Sequence, residues 1–488
     1  MFEKVLIANR GEIANRIMNT CMEMGIKTVA IYTKEDSNSF HRNKADEAYK
    51  VSSYLNIDDI VSVAKENKVD AIHPGYGFLA ENPDFAKRCE NEGITFIGPK
   101  ADVMLKLGNK TEAKAIAEKI NVPVIPWYHS EDIGKIIHKG KEIGFPILIK
   151  ASAGGGGRGM RIVYDEKEFL SNCESACREA GLAFGDDSIF IEKYLKNARH
   201  IEFQILGDEF GNVINLNERE CSIQRRHQKI IEESPSCALN SMLREEMGRA
   251  AVKIAEEVGY TNAGTVEFLF SNKRYYFMEV NTRLQVEHTI TEETTGIDLV
   301  KWQFKIANGE KMRMKQEDIK QIGHAIECRI YAEIPEKNFA PSPGHIYHFE
   351  VINAPNIRHE IGDKAEVSAH YDPLIAKVIT HAETREENIK KMLFALSNYK
   401  IIGVKTNISF LRNILMHKAF LNGDTTTDFI ENYFNELVKK EDKKNEALIA
   451  LALSEMLVKE TPKKLYTADD TYSPWKNVKK WRLYGGTL

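Results

Sequence analysis

Between residues 4 and 98 the chain alternates short β-branched runs with helical patterns: KVLIA, EIANRIMNTCMEMG, KTVAIY, IDDIVSVAKENK, DAIH, ENPDFAKRCENEG and ITFIG. That alternation is the pattern of a parallel sheet with helices on its faces. The turn Gly75-Tyr76-Gly77-Phe78-Leu79-Ala80 matches GxGxxA after one such strand. A dinucleotide site would carry the motif in the first strand-to-helix turn, where only Gly11 stands, so an NAD-binding reading is set aside. The rest of the chain changes character. From about 110 to 320 glycine becomes locally dense and several strands alternate in charge, and a third segment of short strands and two helical patterns fills about 322–435. The charged run KKEDKKNE at 439–446 reads as a linker, followed by an apolar helix that Pro462 ends and a basic, aromatic stretch.

Composition removes several classes of function. The 488 residues leave room for two to four domains. The 67 Lys+Arg and 71 Asp+Glu nearly cancel, which excludes a protein built to coat nucleic-acid backbone. No apolar run of about 18 residues exists to span a membrane. The N-terminal residues enter a strand without a signal-peptide pattern, and seven scattered cysteines read as reduced thiols, so a cytoplasmic location is expected.

Two segments carry chemistry on their own residues. In LIKASAGGGGRGM, residues 148–160, four glycines follow a strand ending at Lys150 and are closed by Arg158. Without Cβ atoms such a backbone can aim its N–H groups at phosphate oxygens. The segment GTVEFLFSNKRYYFMEVNTRLQVEH reads as two strands joined near Asn272–Arg274. Pairing Ser271 with Tyr275 sets Glu267 opposite Glu279, a like-charged pair that needs a cation between its members. With the amide oxygen of Asn281 they form a hard-oxygen set suited to Mg²⁺ or Mn²⁺ beside nucleotide phosphates. Period two would place Glu279, Asn281, Arg283, Gln285 and Glu287 on one face. At roughly 3.3 Å per residue, however, Glu279 and Glu287 would lie about 26 Å apart on a straight strand. The cluster Arg225, Arg226, His227 and Lys229 reads equally as an exposed basic loop or an anion site. Arg329, alone on a strand, reads as a surface residue, and Cys221 as packing.

Taken together, IANRGEIA, IHPGYGFLAEN, GGGGRGM, EKYL, RRHQK, EFLF, EVNTRLQVEH, HAIECR, PSPG and YDPLIAK resemble the biotin carboxylase component of biotin-dependent carboxylases, over roughly residues 1–437. The resemblance implies an α/β and α+β chain. Its parts would be a pre-ATP-grasp parallel-sheet domain (1–112), an ATP-grasp domain (113–321) with a small mobile lid at about 125–195, and a mixed C-terminal domain (322–437). It implies a ligase that carboxylates biotin from ATP and bicarbonate. Nucleotide contacts would fall on Lys110, Lys150, Gly156, Gly157, Glu192, Lys193, Tyr194, Leu195, His200, Gln224 and His227, and metal ligands on Glu267, Glu279 and Asn281. Bicarbonate would meet Lys229, Arg283, Gln285 and Val286, with Glu287 as base. Given that role, a metal ligand and a base for one reaction must be closer than the straight strand allows, so the strand is expected to end or bend after about Arg283. Arg329 would stabilise the biotin enolate, and Tyr76 would lie on the substrate side. These assignments revise the two open readings of the basic loop and of Arg329.

The resemblance also implies partners: a biotin carboxyl carrier protein, a carboxyltransferase and a second copy of the chain. Biotin would be a substrate and not attached here, because Met312-Arg313-Met314 lacks the lysine of a biotin acceptor and lies far from the end. The carboxyl acceptor, whether acetyl-CoA as in fatty acid synthesis, propionyl-CoA or pyruvate, stays open. Ala153 replaces a glycine common at the start of the loop. The shortened 353–371 segment, with His370 where tyrosine is usual, leaves the details of a dimer open, and residues 438–488 read as a partner-docking tail. Two alternatives stand beside this reading: another ATP-grasp ligase joining a carboxylate to an amine, and a non-catalytic protein that binds ATP for regulation.

Overall fold

The computed structural model describes residues 1–152, 160–438 and 453. The expectations placed on the glycine loop, Gly156 and Gly157 included, and on the tail helix lie outside the described residues. Five parallel strands open the chain: β1 (Lys4–Ile7), β2 (Lys27–Tyr32), β3 (Glu47–Lys50), β4 (Ala71–His73) and β5 (Thr95–Phe96), in the order β3-β2-β1-β4-β5. Val5, Leu6, Ile7, Val29, Ile31 and Ile72 are buried, so the central strands read as apolar runs covered on both faces. The glycines of the GxGxxA turn serve the fold. Gly75 has φ +63°, and a Cβ there would lie 2.8 Å from Asn9 Nδ2. That amide donates to the carbonyls of Pro74 and Tyr76, at 2.7 and 2.8 Å, tying β1 to the turn.

Strands β6 (Trp127–His129), β7 (Ile147–Ala151), β8 (Arg161–Val163) and β9 (Ile189–Lys193) form a small antiparallel sheet ordered β6-β9-β7-β8. Its own core, with Ile136, Ile147, Ile149, Val163, Phe169 and Ile191, is separate from the other apolar clusters.

The site rests on an eight-stranded antiparallel sheet. It contains β10 (Arg199–Gly207), β11 (Val213–Arg225), β12 (Gln228–Ser234), β13 (Asn262–Ser271), β14 (Arg274–Asn281) and β15 (His324–Tyr331). Strands Leu374–Ala382 and Ile357–Ile361 complete the order β14-β13-β10-β11-β12-β15 at the β15 edge, so one sheet runs across residues 321 and 322. Period two sorts its faces. On β10, Ile201, Phe203 and Ile205 join Met247, Ala251 and Ile254 of helix Ser241–Val258 in an apolar cluster. The intervening His200, Glu202 and Gln204 are equally buried, on the other face. Buried polar groups at that density need partners. No helix among the described residues is long and apolar enough to cross a membrane.

Candidate active site

The register of the eight-stranded sheet lines up charges that are far apart in the chain. Arg219 on β11 stands opposite Glu202 on β10, Glu202 opposite Glu267 on β13, and Glu267 opposite Glu279 on β14. Three adjacent carboxylates would destabilise a sheet unless cations intervened, and four cationic groups do so. Arg219, fully buried, donates to Glu202 at 2.6 Å and to Gln204, Thr265, Gln285 and Thr291. Lys229 donates to Glu202, to Glu267 at 2.8 Å and to Glu287 at 2.7 Å. His200 Nε2 lies 3.2 Å from Glu267, while its Nδ1 meets the Gln224 amide at 3.0 Å. Lys110 meets Glu279 at 2.8 Å.

The hairpin reaches its expected pairing by a different route. The turn has only two residues, Asn272 and Lys273, both with positive φ, so Ser271 pairs with Arg274 and not with Tyr275. A bulge at Met278, between the pairs Phe268–Phe277 and Glu267–Glu279, then adds the residue that restores Glu267 to Glu279. The strand ends at Asn281, two residues before the anticipated bend, so Arg283, Gln285 and Glu287 do not continue a period-two face. The chain turns instead, and Glu287 sits at the N-terminus of helix His288–Thr295. This fold-back brings Glu287 and Glu267 onto one ammonium, that of Lys229.

A cavity of about 360 Å³ opens over the row. Lys110, Lys150, Glu192, Lys193, Tyr194, Leu195, His200, Gln224 and His227 line it together with Lys229, Glu267, Glu279, Asn281, Arg283, Gln285, Val286, Glu287 and Arg329. At one end β7 and β9 place Lys150 on Glu192, with Lys114 on its other oxygen at 3.1 Å. At the other, Arg329 Nη2 meets Glu287 Oε2 at 2.9 Å, and Arg283 meets Glu81 at 2.8 Å and Asn281 at 3.1 Å. Arg329 is therefore 6% exposed and not a surface residue, because the turn after β14 folds over β15. Tyr76 does not line the cavity: its hydroxyl donates to Glu12 inside the N-terminal part of the fold.

Protonation follows from the pairing. Burial opposes charge on Glu287, but Lys229, with Arg329 and Arg219, holds its carboxyl down at about 2. Burial likewise opposes charge on Glu267, and Lys229 and His200 keep it well below the usual carboxylate range. Burial would lower His200, yet the Glu267 carboxylate raises it to about 9, so the ring is a cation at neutral pH. For Glu279 the Lys110 ammonium is the main influence and lowers it. Glu267 and Glu279 are thus ionised, face each other beside the Asn281 amide and already hold ammonium groups. This donor set fits a hard divalent cation.

Sequence reasoning missed Arg219, Glu202 and Lys114, and also Thr427, Asp428 and Glu431, which line the cavity from the C-terminal part. The charge alternation of RHIEFQ and NERECS marks two strands with charged residues but not that Glu202 and Arg219 are the buried ones. Residues 427–431 carry no comparable signal.

Family models match the chain in three consecutive stretches: the biotin carboxylase N-terminal domain over residues 1–104, the carbamoyl-phosphate synthase L chain ATP-binding domain over 109–315 and the biotin carboxylase C-terminal domain over 327–432. A pyruvate carboxylase subunit of Methanothermobacter thermautotrophicus is 51% identical over 443 residues, covering 89% of this chain and 90% of that protein. Biotin carboxylase 1 of Bacillus subtilis is 49% identical over 445 residues, covering 89% and 99%. The crystal structure of the Hydrogenobacter thermophilus 2-oxoglutarate carboxylase biotin carboxylase domain dimer, in complex with MgADP, ADP and bicarbonate, has a TM-score of 0.88 at 48% identity. It covers 90% of this chain and 100% of its own. With its three matched domains, its parallel and antiparallel sheets and its buried charge row, the chain belongs to the biotin carboxylase family of ATP-grasp enzymes.

Proposed function

We propose that this cavity phosphorylates bicarbonate with ATP and passes the resulting CO₂ to biotin on a separate carrier protein, the first half-reaction of a biotin-dependent carboxylase. The observation that carries the proposal is the Lys229 ammonium, bound at once to Glu202, Glu267 and Glu287. It joins the end suited to phosphate and metal to the end suited to bicarbonate.

Lys110, Lys150, Glu192, Lys193, Tyr194, Leu195, His200, Gln224 and His227 form the nucleotide end. Glu267, Glu279 and Asn281 would hold Mg²⁺, which supplies charge neutralisation at the transferring phosphoryl group. Arg283, Lys229, Gln285 and Val286 bind bicarbonate. Arg283 is always charged and planar, which suits a trigonal anion. Glu287 removes the bicarbonate proton. A carboxylate held near 2 is a weak base, but bicarbonate competes for the Lys229 ammonium that lowers it. Binding the substrate therefore strengthens the base. The carboxyphosphate so formed breaks down to CO₂ and phosphate, and the phosphate takes the ureido proton of biotin. Arg329, whose buried Nε–H has no hydrogen-bond partner among the described residues, then stabilises the enolate oxygen.

The carrier protein, a carboxyltransferase and a second copy of the chain are the proposed partners, with 438–488 as the docking element. The names of two relatives, one a carboxylase subunit, the other a domain dimer, support separate subunits and pairing. The test is ATP cleavage followed with free biotin and bicarbonate. A rate that rises only when both are present supports the reading. Stimulation by an amine points to a carboxylate–amine ligase, and no turnover under any condition to a regulatory protein.

A further inference from the structure

Behind Arg329 the sheet register sets two glutamates opposite each other. Glu232 on β12 stands directly opposite Glu327 on β15, and both are fully buried. Arg329, two residues beyond Glu327, shares their face. Its Nη2 lies 2.5 Å from Glu232 Oε1 and 2.9 Å from Glu287 Oε2. One guanidinium thus serves two carboxylates, with a third beside them. Among the described residues neither oxygen of Glu232 has a well-aligned donor, and Glu327 Oε1 has none. Among the described residues Glu327 Oε2 accepts only from the Thr289 hydroxyl of the covering helix. The other charged or titratable groups facing the pair are Glu287 from the turn, Lys229 on β12, Lys377 on the neighbouring strand and Glu12 from helix Gly11–Met24. The thiols of Cys221 and Cys328 are held neutral by burial.

Adjacent buried carboxylates with so few donors do not both ionise. Burial, the largest influence, lifts Glu232 to about 8; Arg329 pulls the other way, while Glu327 and Glu287 add to the rise and Lys229 opposes it. Glu327 is raised as well, again mainly by burial. The consequence falls on Arg329. If Glu287 and Glu232 were both ionised, its charge would be more than cancelled before any enolate formed.

We infer that the Glu232–Glu327 pair holds one proton, which leaves Arg329 enough positive charge to stabilise the biotin enolate. Glu232 is then a positioning residue that acts through Arg329, and loss of the shared proton disables the biotin step while sparing ATP cleavage. This rests on the reading of Arg329 given above.

The test is a pH–rate profile of carboxylation of free biotin, with bicarbonate-dependent ATP cleavage followed in parallel. In the unsubstituted chain carboxylation falls about tenfold per pH unit above roughly pH 8, the slope of a single lost proton, while ATP cleavage persists. Glu232→Gln, a permanent mimic of the neutral acid, removes that fall. Glu327→Gln lets Glu232 ionise more easily and moves the fall to lower pH. A purely structural role would slow both variants equally at every pH. The same alkaline fall in all three proteins, or a fall in ATP cleavage that tracks carboxylation, overturns the inference. Arg329→Ala distinguishes the two levels. If it fails to uncouple ATP cleavage from biotin, the reading of Arg329 itself is wrong; if it uncouples and the profiles do not differ, only the shared proton is refuted.

Discussion

Glu279 and Glu287 stand eight residues apart in sequence and flank one cavity, and the proposed chemistry gives them different work. Replacing each by glutamine keeps its size and removes its charge. Among the described residues Glu287 hydrogen-bonds Lys229 at 2.7 Å and Arg329 at 2.9 Å and none of those at the nucleotide end. Glu287→Gln removes the positioned base, which is worth about 10²- to 10⁴-fold, or roughly 3–5 kcal/mol of barrier. MgATP affinity should change by less than about threefold, because Lys229 keeps Glu202 and Glu267 as partners. Glu279→Gln acts at the other end. It frees Lys110 from a 2.8 Å ion pair and leaves Glu267 facing a neutral amide that offers one oxygen. A hard divalent cation loses a charged ligand there, so MgATP affinity should fall at least tenfold and every ATP-dependent reaction with it. ADP release measured against MgATP concentration, with and without biotin, separates affinity from turnover. Equal loss of MgATP affinity in the two variants would refute the division of roles.

Two further outcomes follow from buried charge. Burial opposes ionisation of Glu192, but Lys114 and Lys150 lower it from 4.5 to about 2, so the stability it contributes is fully present above about pH 4.5 and is lost as pH falls through about 2. That contribution is about 3 kcal/mol. Urea midpoints between pH 7 and 3 should therefore drop for the unsubstituted chain and change less for Glu192→Gln, which is already weakened at pH 7 by two unpaired ammonium groups; parallel slopes would exclude Glu192 as a source of the acid sensitivity. Arg219→Met takes the donor from five buried acceptor oxygens, although Glu202 keeps Lys229 on its other oxygen, and should cost about 3–5 kcal/mol. Thermal unfolding would show this as a lowered midpoint, and an unchanged midpoint would mean that Arg219 is not the hub of the row.

How far the site could be read in advance depended on whether a residue's environment is local. The hairpin carried its own information. Glu267 and Glu279 belong to neighbouring strands joined by two residues, so their opposition follows from nearby sequence, although the bulge at Met278 and the shorter turn offset each other unseen. The end of β14 was foreseeable once the resemblance gave Glu287 the role of base, since a base about 26 Å from a metal ligand is useless. Arg219 and Glu232 were not legible in this way. A single arginine or glutamate on an alternating strand is indistinguishable from a solvated one until a covering helix and a register with distant strands are known. Helix His288–Thr295 packs against β11, β12 and β15, and it buries the same charged face that looks exposed in isolation. Arg329 shows the difference most clearly. Its own strand, HAIECRIY, gives no reason to bury a guanidinium. Glu232 lies 97 positions away in sequence and Glu287 42, yet both carboxylates reach its Nη2 within 3 Å. The physical content of the site lies in those long-range pairings, of which the resemblance named Lys229, Glu287 and Arg329 and left out Glu232, Glu202 and Arg219.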